Sequence, residues 1–396
     1  MSKKTIKQLD LKGRRVLMRV DFNVPIKNGE IKDDTRIRAS LPTIHYALDH
    51  GATSVVLCSH LGRPKGKPNP EYTLKPVAAR LGDLLKRPVV FAEDCVGEPA
   101  KRAIAQAGSN GVVLLENLRF HADEEKNDPG FATQLAELAD IYVDDAFGSA
   151  HRAHASTEGV VRFVKEAAAG LLMADELEHL GRVLQRPDHP FVAILGGAKV
   201  SDKLEVIENL LPRVDALLIG GAMAYTFFKS RSLPVGRSLV EDDLLDAARQ
   251  ITERAQSRGL RFELPVDHVV APKLEAGAPA ETLAVGDAAI GDRMGLDIGP
   301  KTIAAYRSVI AGAKTVIWNG PMGVFEIDAF AQGTIEVAKA VAAVNGTTVI
   351  GGGDSISAVA KAGVTDRITH ISTGGGASLE FLGGRELPGV AVLPDA

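Results

Sequence analysis

The chain has 396 residues, which is long enough for two or three domains. Because 45% of the residues are hydrophobic, each domain can bury a core. Its 46 basic and 50 acidic residues give a net charge of −4, which argues against general nucleic-acid binding but allows local basic patches. No apolar stretch approaches the roughly 18 residues that a bilayer span needs, and the start of the chain has no apolar signal core. Because two cysteines suit a reducing compartment, we expect a cytoplasmic protein.

Short apolar runs recur along the chain and predict buried strands. They are rich in Val, Ile and Leu and do not alternate with polar residues, which is typical of strands buried on both faces of a parallel sheet. In chain order the runs are 16–20, 55–58, 112–115, 141–143, 191–195, 216–219, 315–318 and 347–350. Segments with a helical period lie between them, such as 202–211 and 332–344. This alternation predicts an α/β fold.

An amphipathic segment near the middle of the chain marks the expected domain boundary. Within 164–186, leucine and valine residues recur at a helical period among charged residues. A helix that joins two domains would act as a stiff hinge. We therefore predict two doubly wound, Rossmann-like parallel-sheet domains, 1–170 and 171–385, joined by an interdomain helix and with a cleft between them.

Basic side chains follow the predicted strands of the first half. Ligands of open parallel sheets bind beyond the carboxyl ends of the strands. The arginines after these ends are Arg36, Arg63, Arg119 and Arg152. Arginines that converge on one edge repel each other unless an anion lies among them, and guanidinium groups match phosphate or carboxylate oxygens. The pattern predicts a small, multiply charged anionic substrate, although any single arginine could instead be a solvated or salt-bridged loop residue.

Glycines follow the predicted strands of the second half. The glycine-containing segments are 196–203, 220–223, 319–326, 351–355 and 372–377. Glycine lets the backbone approach a ligand and aim N–H groups at phosphate oxygens. Lys199 and Lys203 would add point charges, and Asp354 offers a hard oxygen ligand for Mg²⁺. The alternative for any one segment is a tight turn between a strand and a helix.

Standard nucleotide signatures do not occur in the sequence. It contains no G-x-x-x-x-G-K-[ST] motif and no protein-kinase catalytic-loop motif. No G-x-G-x-x-G follows the first predicted strand, which weakens a dinucleotide interpretation. A nucleotide site must therefore be assembled from the ends of several strands.

Eight motifs, in order along nearly the whole chain, resemble those of phosphoglycerate kinases. They are 19–25, 59–64, 116–121, 151–156, 196–203, 318–326, 351–355 and 372–380. The resemblance, to a family member of bacterial length, implies reversible Mg²⁺-dependent phosphoryl transfer between 1,3-bisphosphoglycerate and ADP, giving 3-phosphoglycerate and ATP. It also implies direct in-line transfer after hinge closure, and a monomer without nucleic-acid or membrane partners. The segment at about 386–396 would return to the first domain.

The resemblance also implies the site residues. The substrate-binding set is Asp21, Phe22, Asn23, Arg36, His60, Leu61, Gly62, Arg63, Arg119 and Arg152. The nucleotide-binding set is Gly196, Lys199, Lys203, Gly220, Asn319, Pro321, Glu326, Gly352, Gly353, Asp354 and Ser355, with Asp354 also as the metal ligand. The residues expected to act on the transferring group are Arg36, Lys199, Gly374 and Gly375.

Two other functions fit parts of the pattern. An ATP-dependent carboxylate-activating ligase would also join a nucleotide site to an anionic substrate, but it would need an amine-binding subsite for which the sequence offers no motif. A nucleotide-sensing scaffold could use the same fold without catalysis. The joint presence of Arg36, Lys199, Lys203 and Asp354 argues against such a scaffold.

Overall fold

The structure, a computed structural model, describes residues 3–396. The chain divides into two compact units. The first unit comprises Met1–Glu178 together with Glu386–Ala396, and the second comprises His179–Arg385. The boundary expected at 170/171 is where the helix Leu171–Gln185 begins, and the structure divides the chain within that helix. None of the described helices is long and apolar enough to cross a bilayer.

The first unit is built around a parallel sheet of six strands. The strands of this unit are β1 (Arg15–Arg19), β2 (Ile26–Lys27), β3 (Glu30–Ile31), β4 (Ser54–Cys58), β5 (Val89–Ala92), β6 (Gly111–Leu115), β7 (Ile141–Asp144) and β8 (Glu166–Ala169). The sheet has the order β5-β6-β4-β1-β7-β8, and β2 and β3 form a separate antiparallel ribbon. The helices are α1 (Thr35–Asp49), α2 (Lys75–Leu85), α3 (Gly97–Ala107), α4 (Ala122–Glu125), α5 (Pro129–Ala136) and α6 (Leu171–Gln185), which continues into the second unit.

The second unit contains another six-stranded parallel sheet and a small antiparallel one. Its strands are β9 (Phe191–Leu195), β10 (Ala216–Ile219), β11 (Arg261–Glu263), β12 (Asp267–Ala271), β13 (Glu281–Ala284), β14 (Met294–Ile298), β15 (Thr315–Asn319), β16 (Thr347–Gly351) and β17 (His370–Ser372). The parallel order is β11-β10-β9-β15-β16-β17, and the antiparallel order is β13-β12-β14. The helices are α7 (Leu204–Leu210), α8 (Met223–Ser230), α9 (Leu245–Ser257), α10 (Pro300–Ala311), α11 (Gln332–Ala342), α12 (Gly353–Lys361) and α13 (Gly376–Leu382).

The predicted α/β fold with two parallel-sheet domains is confirmed. All eight apolar runs are strands of the two parallel sheets, and central strands such as β4 and β9 are buried along their whole length. Other strands were missed for local reasons. β5 is only half-buried over most of its length, β8 is mostly alanine, and β17 has three residues. The antiparallel sheet was missed because the β13 residues are mostly exposed and form no apolar run.

The two ends of the described chain lie together in the first unit. Helix α14 (Pro388–Ala391) leads into a final segment that runs beside the start of the chain. The Lys3 ammonium group donates a 2.8 Å hydrogen bond to the Leu393 carbonyl and lies 2.9 Å from an Asp395 carboxylate oxygen. The Lys4 backbone N–H donates to the Pro394 carbonyl at 2.9 Å. The last residues therefore complete a unit that the first residues began.

The first turn of α6 is anchored by a buried carboxylate. Asp145 Oδ1 accepts hydrogen bonds from the backbone N–H groups of Leu172, at 2.9 Å, and Met173, at 3.3 Å. The Leu171 N–H donates to the Thr43 hydroxyl at 3.1 Å. A Cβ on Gly170 would lie 2.0 Å from Asp145 Oδ1, so only glycine fits before the helix. These bonds satisfy N–H groups that a helix start leaves without intrahelical partners.

Replacing Asp145 with Asn should flatten the pH dependence of stability. Burial raises the pKa of Asp145 from 3.8 to about 7, so the folded chain holds this proton more tightly than the unfolded chain does. The stabilisation from that proton is present below about pH 4 and is lost as the pH rises to about 7. The asparagine side chain of the variant keeps an oxygen for the α6 N–H groups but does not ionise. We expect the free energy of unfolding of the variant, relative to the unsubstituted chain, to rise over this range by at most about 4 kcal/mol.

Urea unfolding at a series of pH values measures this difference. Asp140→Asn is the matched control with the opposite sign: partial burial of Asp140 opposes ionisation, yet hydrogen bonds from Arg15 hold its pKa below the usual value. The control should lose stability, relative to the unsubstituted chain, as the pH rises through the acid range. Parallel pH profiles for D145N and the unsubstituted chain would contradict the role given to Asp145.

Candidate active site

Four neighbouring strands of the first unit, β6, β4, β1 and β7, present polar side chains beyond their carboxyl ends, and we call this set the basic edge. Its central hydrogen bonds link three of the segments that follow these strands. Arg36 Nη1 lies 3.1 Å from both carboxylate oxygens of Asp21 and 3.3 Å from the Asn23 carbonyl. Asn23 Oδ1 accepts from the Gly62 N–H at 2.9 Å, and Arg119 Nη1 donates to the Gly62 carbonyl at 2.9 Å. The structure therefore brings Asp21, Asn23, Arg36, Gly62 and Arg119 together.

Gly62 is the meeting point of this group, and its conformation requires glycine. Its φ is +61°, in the left-handed region, and a Cβ would lie 2.3 Å from the Tyr72 ring. Larger residues at this position would strain the backbone and displace the ring. The bonds to Asn23 and Arg119 would then lose their geometry.

His60 is a neutral imidazole at the basic edge. Burial lowers its pKa well below the usual 6.5. The nearby cations that lower the pKa further are, in order of effect, Arg19, Arg119, Arg36 and Arg152. Arg19 Nη2 lies 3.1 Å from His60 Nδ1, and because a guanidinium group can only donate, Nδ1 is the acceptor. The ring hydrogen therefore resides on Nε2, which makes His60 a neutral hydrogen-bond donor.

Arg19 is the residue that the sequence interpretation missed. It lies in β1 and its side chain is fully buried, although it carries a permanent charge. Its Nε donates to Ser156 Oγ at 2.8 Å, and Ser156 Oγ in turn donates to the buried Glu124 carboxylate at 2.5 Å. An arginine inside an apolar run was the available signal, since a buried charge requires partners.

The remaining residues of the substrate set have different surroundings. The Phe22 and Leu61 side chains are buried in the first unit's hydrophobic core. Their backbone N–H groups donate to Ser59 Oγ at 2.9 Å and to Asn117 Oδ1 at 3.2 Å. The Arg63 side chain is exposed and has no hydrogen bond or ion pair with any residue of 3–396. Arg152 Nε lies 3.2 Å from His151 Nε2.

In the second unit, the strands β10, β9, β15, β16 and β17 end in glycine-containing segments, and we call this set the glycine edge. Several of its glycines are required by loop packing. A Cβ on Gly196 would lie 2.1 Å from the Pro321 carbonyl oxygen, and one on Gly220 would lie 2.3 Å from Met322 Sδ. The N–H groups of Gly196 and Gly220 donate to the carbonyls of Asn319 and Leu195, both at 2.9 Å. Both glycines therefore help to pack the loops that follow β9, β10 and β15.

Polar groups gather where β15 and β16 end. Lys203 is buried, and its ammonium group contacts Asn319 Oδ1. Burial lowers the pKa of Lys203 to about 8. Asn319 Nδ2 is buried and has no hydrogen-bond partner among the described residues. Ser355 Oγ accepts from the Gly320 N–H at 2.7 Å, which holds the start of α12 against this group.

The start of α12 is exposed, and it carries the predicted metal ligand. Gly352 precedes the helix with φ +92°, and Gly353 and Asp354 form its first turn. The Asp354 side chain forms no hydrogen bond or ion pair with another described residue, but its charge acts on Lys203. Lys199 and Glu326 are also exposed and make no such contacts within 3–396. Gly375, with φ +54°, precedes α13, and the Gly374 N–H donates to Ser372 Oγ at 3.3 Å.

A sequence model of the family described as Phosphoglycerate kinase matches residues 6–385. The chain belongs to the phosphoglycerate kinase family. A relative named phosphoglycerate kinase from Solibacter usitatus is 61% identical over 398 residues, covering 99% of this chain and 100% of the relative. A second relative named phosphoglycerate kinase, from Koribacter versatilis, is 58% identical, and the alignment covers 99% of this chain and 99% of the relative. The family resemblance seen in the motifs is confirmed.

Solved structures agree with this assignment. The phosphoglycerate kinase of Coxiella burnetii matches with a TM-score of 0.89 and 43% identity, and that of Pyrococcus horikoshii with 0.85 and 36%, each over 98% of both chains. The chain is therefore an enzyme, a phosphotransferase with a carboxyl group as acceptor. It carries out the glycolytic phosphoryl transfer between 1,3-bisphosphoglycerate and ADP that gives 3-phosphoglycerate and ATP.

Gly196→Ala should destabilise the second unit. The added Cβ would lie 2.1 Å from one backbone oxygen and 2.7 Å from another, the carbonyls of Pro321 and Gly320, so the loops must separate. Overpacking of this kind costs about 1–3 kcal/mol. The matched control is Gly353→Ala, where a Cβ meets nothing within 4 Å. Thermal unfolding followed by circular dichroism should show a lower midpoint for G196A only, and equal midpoints for both variants would contradict the packing argument.

Proposed function

We propose that the basic edge of the first unit binds the phosphoglycerate and that the glycine edge of the second unit binds ADP or ATP together with Mg²⁺. The first half of this proposal rests on the positive electrostatic field at His60. Burial is the largest cause of the lowered pKa of this imidazole, and four guanidinium groups lower the pKa further. Positive charges that converge in this way repel each other, and a multiply charged anion relieves that repulsion. A phosphoglycerate, which carries phosphate and carboxylate groups, has this chemistry.

Individual roles follow from the hydrogen bonds of the basic edge. Asp21 holds the Arg36 guanidinium group in place, and Asn23 and Gly62 fix the segments beside it. His60, Arg63, Arg119 and Arg152 complete the set that binds the substrate's anionic groups, and Phe22 and Leu61 support it from the core. Arg36 is the cation that we assign to the transferring group on this side. Its side chain is 38% exposed, so a ligand can reach it.

On the nucleotide side, we propose that Lys203, Asn319 and Ser355 fix the phosphates near the start of α12. The unpaired Asn319 Nδ2 supports this, because a buried donor without an acceptor favours a ligand oxygen. Gly352 and Gly353 let the phosphates approach the N–H groups of the helix start. Gly196, Gly220, Pro321 and Glu326 line the base or ribose. Lys199, together with the backbone at Gly374 and Gly375, acts on the transferring group.

Mg²⁺ fits the donor set at the start of α12. Asp354 offers an exposed carboxylate with no competing ion pair among the described residues, and Mg²⁺ binds one or two carboxylates together with substrate phosphates. Mg²⁺ supplies charge neutralisation of the phosphate oxygens when it is bound. Asp354 would hold the ion, and Lys203 would provide a second positive charge nearby.

The transfer requires no general base. In the direction that makes 1,3-bisphosphoglycerate, the acceptor is a carboxylate, which is already ionised at neutral pH. In-line phosphoryl transfer depends on positioning and on stabilisation of negative charge. The positioned cations and N–H groups of the two edges supply both. We further propose that the enzyme is a cytoplasmic monomer. Its two cysteines are buried free thiols, which is consistent with a reducing compartment such as the cytoplasm.

Arg36→Ala should abolish most turnover without weakening ATP binding. Removing one preorganised cation from the transferring group lowers the rate on the order of 10²–10³-fold. The matched control is Arg38→Ala on the same helix, whose exposed side chain pairs with Asp34 at 2.9 Å. Turnover is measured with 3-phosphoglycerate, ATP and Mg²⁺ in a coupled assay, and ATP affinity by calorimetry.

Two results would contradict these assignments. Equal losses of ATP affinity and turnover in R36A would place Arg36 in the nucleotide site. A control variant R38A that loses as much turnover as R36A would show that any charge loss on α1 is harmful.

We also propose that the units close on each other during turnover, with α6 and the segment at Ser372 as hinges. Closure excludes water, which competes for the phosphoryl group. Small-angle scattering should show a smaller radius of gyration with both substrates than with either one alone. An unchanged radius with both substrates bound would refute this step.

A further inference from the structure

The first unit contains a cluster of three potentially metal-ligating side chains that the proposed reaction does not use. Asp94 and Cys95 lie in the loop between β5 and α3, and His121 lies between β6 and α4. A carboxylate oxygen, the thiol sulfur and a ring nitrogen of these residues lie within 4.8 Å of one another. Asp94 Oδ1 and His121 Nε2 lie 2.6 Å apart. From this juxtaposition we infer that Asp94, Cys95 and His121 form a binding site for a borderline-soft divalent metal ion such as Zn²⁺.

The distances suit a four-coordinate ion after small side-chain movements. Zinc bonds of about 2.0–2.3 Å in a tetrahedron place neighbouring ligand atoms about 3.4–3.7 Å apart. The hydrogen bond between Asp94 and His121 would have to open. The distances from the Cys95 sulfur to the Asp94 oxygen and to the His121 nitrogen would have to lie within this range. Asp94 and His121 have side chains that are 38% and 33% exposed, so they can rotate, whereas Cys95 is fixed by burial. Their exposed side leaves room for a water as the fourth ligand.

The surroundings orient the ligands in advance. The His121 ring packs against Phe131 with centroids 5.2 Å apart. Asp94 Oδ1 also accepts a hydrogen bond from the Cys95 N–H at 2.7 Å, which fixes the turn that carries both ligands. Supporting contacts of this kind are typical of metal sites because they set the direction of the ligand atoms.

The local charge also favours a cation. The charged groups that act most strongly on the Cys95 thiol are Asp94 and Glu124, and those that act on His121 are Asp94 and Asp123. All of these groups are acidic, in contrast to the four arginines that act on His60. Within one unit, therefore, the basic edge attracts anions while this cluster attracts a positive ion.

A redox role explains the cluster less well. Reactive thiols are exposed and have a lowered pKa, but Cys95 is fully buried and burial raises its pKa well above 9.0. The other cysteine, Cys58, is also buried, with its pKa raised to about 12. A metal ion changes this balance, because a metal–sulfur bond forms as the thiol proton leaves to the solvent.

The ligand types separate this ion from the Mg²⁺ of phosphoryl transfer. Mg²⁺ takes oxygen ligands in octahedral geometry, whereas thiolate and imidazole select zinc or cobalt. The site therefore requires a different metal from that proposed at Asp354, and its occupancy is independent of the assigned substrate and nucleotide roles.

Cobalt(II) titration of the chelator-treated, full-length protein tests the inference. Co²⁺ bound through a thiolate gives a sulfur-to-metal absorption band that histidine and carboxylate sites do not give. We expect this band with the unsubstituted protein, its loss on addition of Zn²⁺ and its persistence in excess Mg²⁺. Cys95→Ser should abolish the band, and His121→Gln and Asp94→Asn should weaken binding at least about tenfold.

Cys58→Ser is the matched control, because it removes the other buried thiol and should leave the band unchanged. If C95S does not fold, the test uses H121Q instead, because the side chain that it replaces is partly exposed. The second measurement is then the rise in unfolding temperature that Zn²⁺ produces. No thiolate band with the folded, unsubstituted protein would overturn the inference. Loss of the band in C58S would also overturn the inference. The same would be true if H121Q and the unsubstituted protein had equal cobalt affinity and an equal Zn²⁺-induced rise in unfolding temperature.

Discussion

The architecture of the basic edge depends on one buried charge, the guanidinium group of Arg19. Because such a charge is costly to bury without partners, every segment that contacts it has to be in position. It donates to His60 Nδ1, to Ser156 Oγ and to the Val20 carbonyl, which belong to segments following three different strands. The Arg19 backbone carbonyl accepts a 2.8 Å hydrogen bond from the N–H group of Asp145, and Asp145 is also the residue that anchors α6. The basic edge and the start of α6 thus share a single support.

A second constraint operates at the glycine edge, where backbone segments approach each other more closely than any side chain allows. Gly196 and Gly320 pack the ends of two neighbouring strands, β9 and β15, against one another, and the backbone oxygens that face them leave no space for a Cβ. Gly353, in contrast, has open space around it, and its helix start is exposed. One sequence pattern therefore combines two functions: glycines that hold the loops together, and glycines that leave N–H groups accessible to a ligand.

The fold was predictable from the sequence because burial on both sheet faces leaves a local mark. Runs such as 191–195 and 315–318 contain the information for a strand within a few residues. The group at Arg36, Asp21 and Gly62 could be anticipated from strand ends and family motifs. The partners of Arg19 could not, since its hydrogen bonds reach residues 41 and 137 positions away, and only the folded sheet brings them within range. The juxtaposition of Asp94, Cys95 and His121 could not be anticipated for the same reason, because these residues come from two separate loops.

The pairing of Lys3 with Leu393 and Asp395 has a consequence for how the chain is made. The first unit contains both ends of the sequence, and the second unit is in effect an insertion within it. During synthesis, the ribosome releases the whole second unit before the last residues that the first one needs become available. The early-made part of the first unit must therefore wait, with part of its surface uncovered, until residues 386–396 have been made.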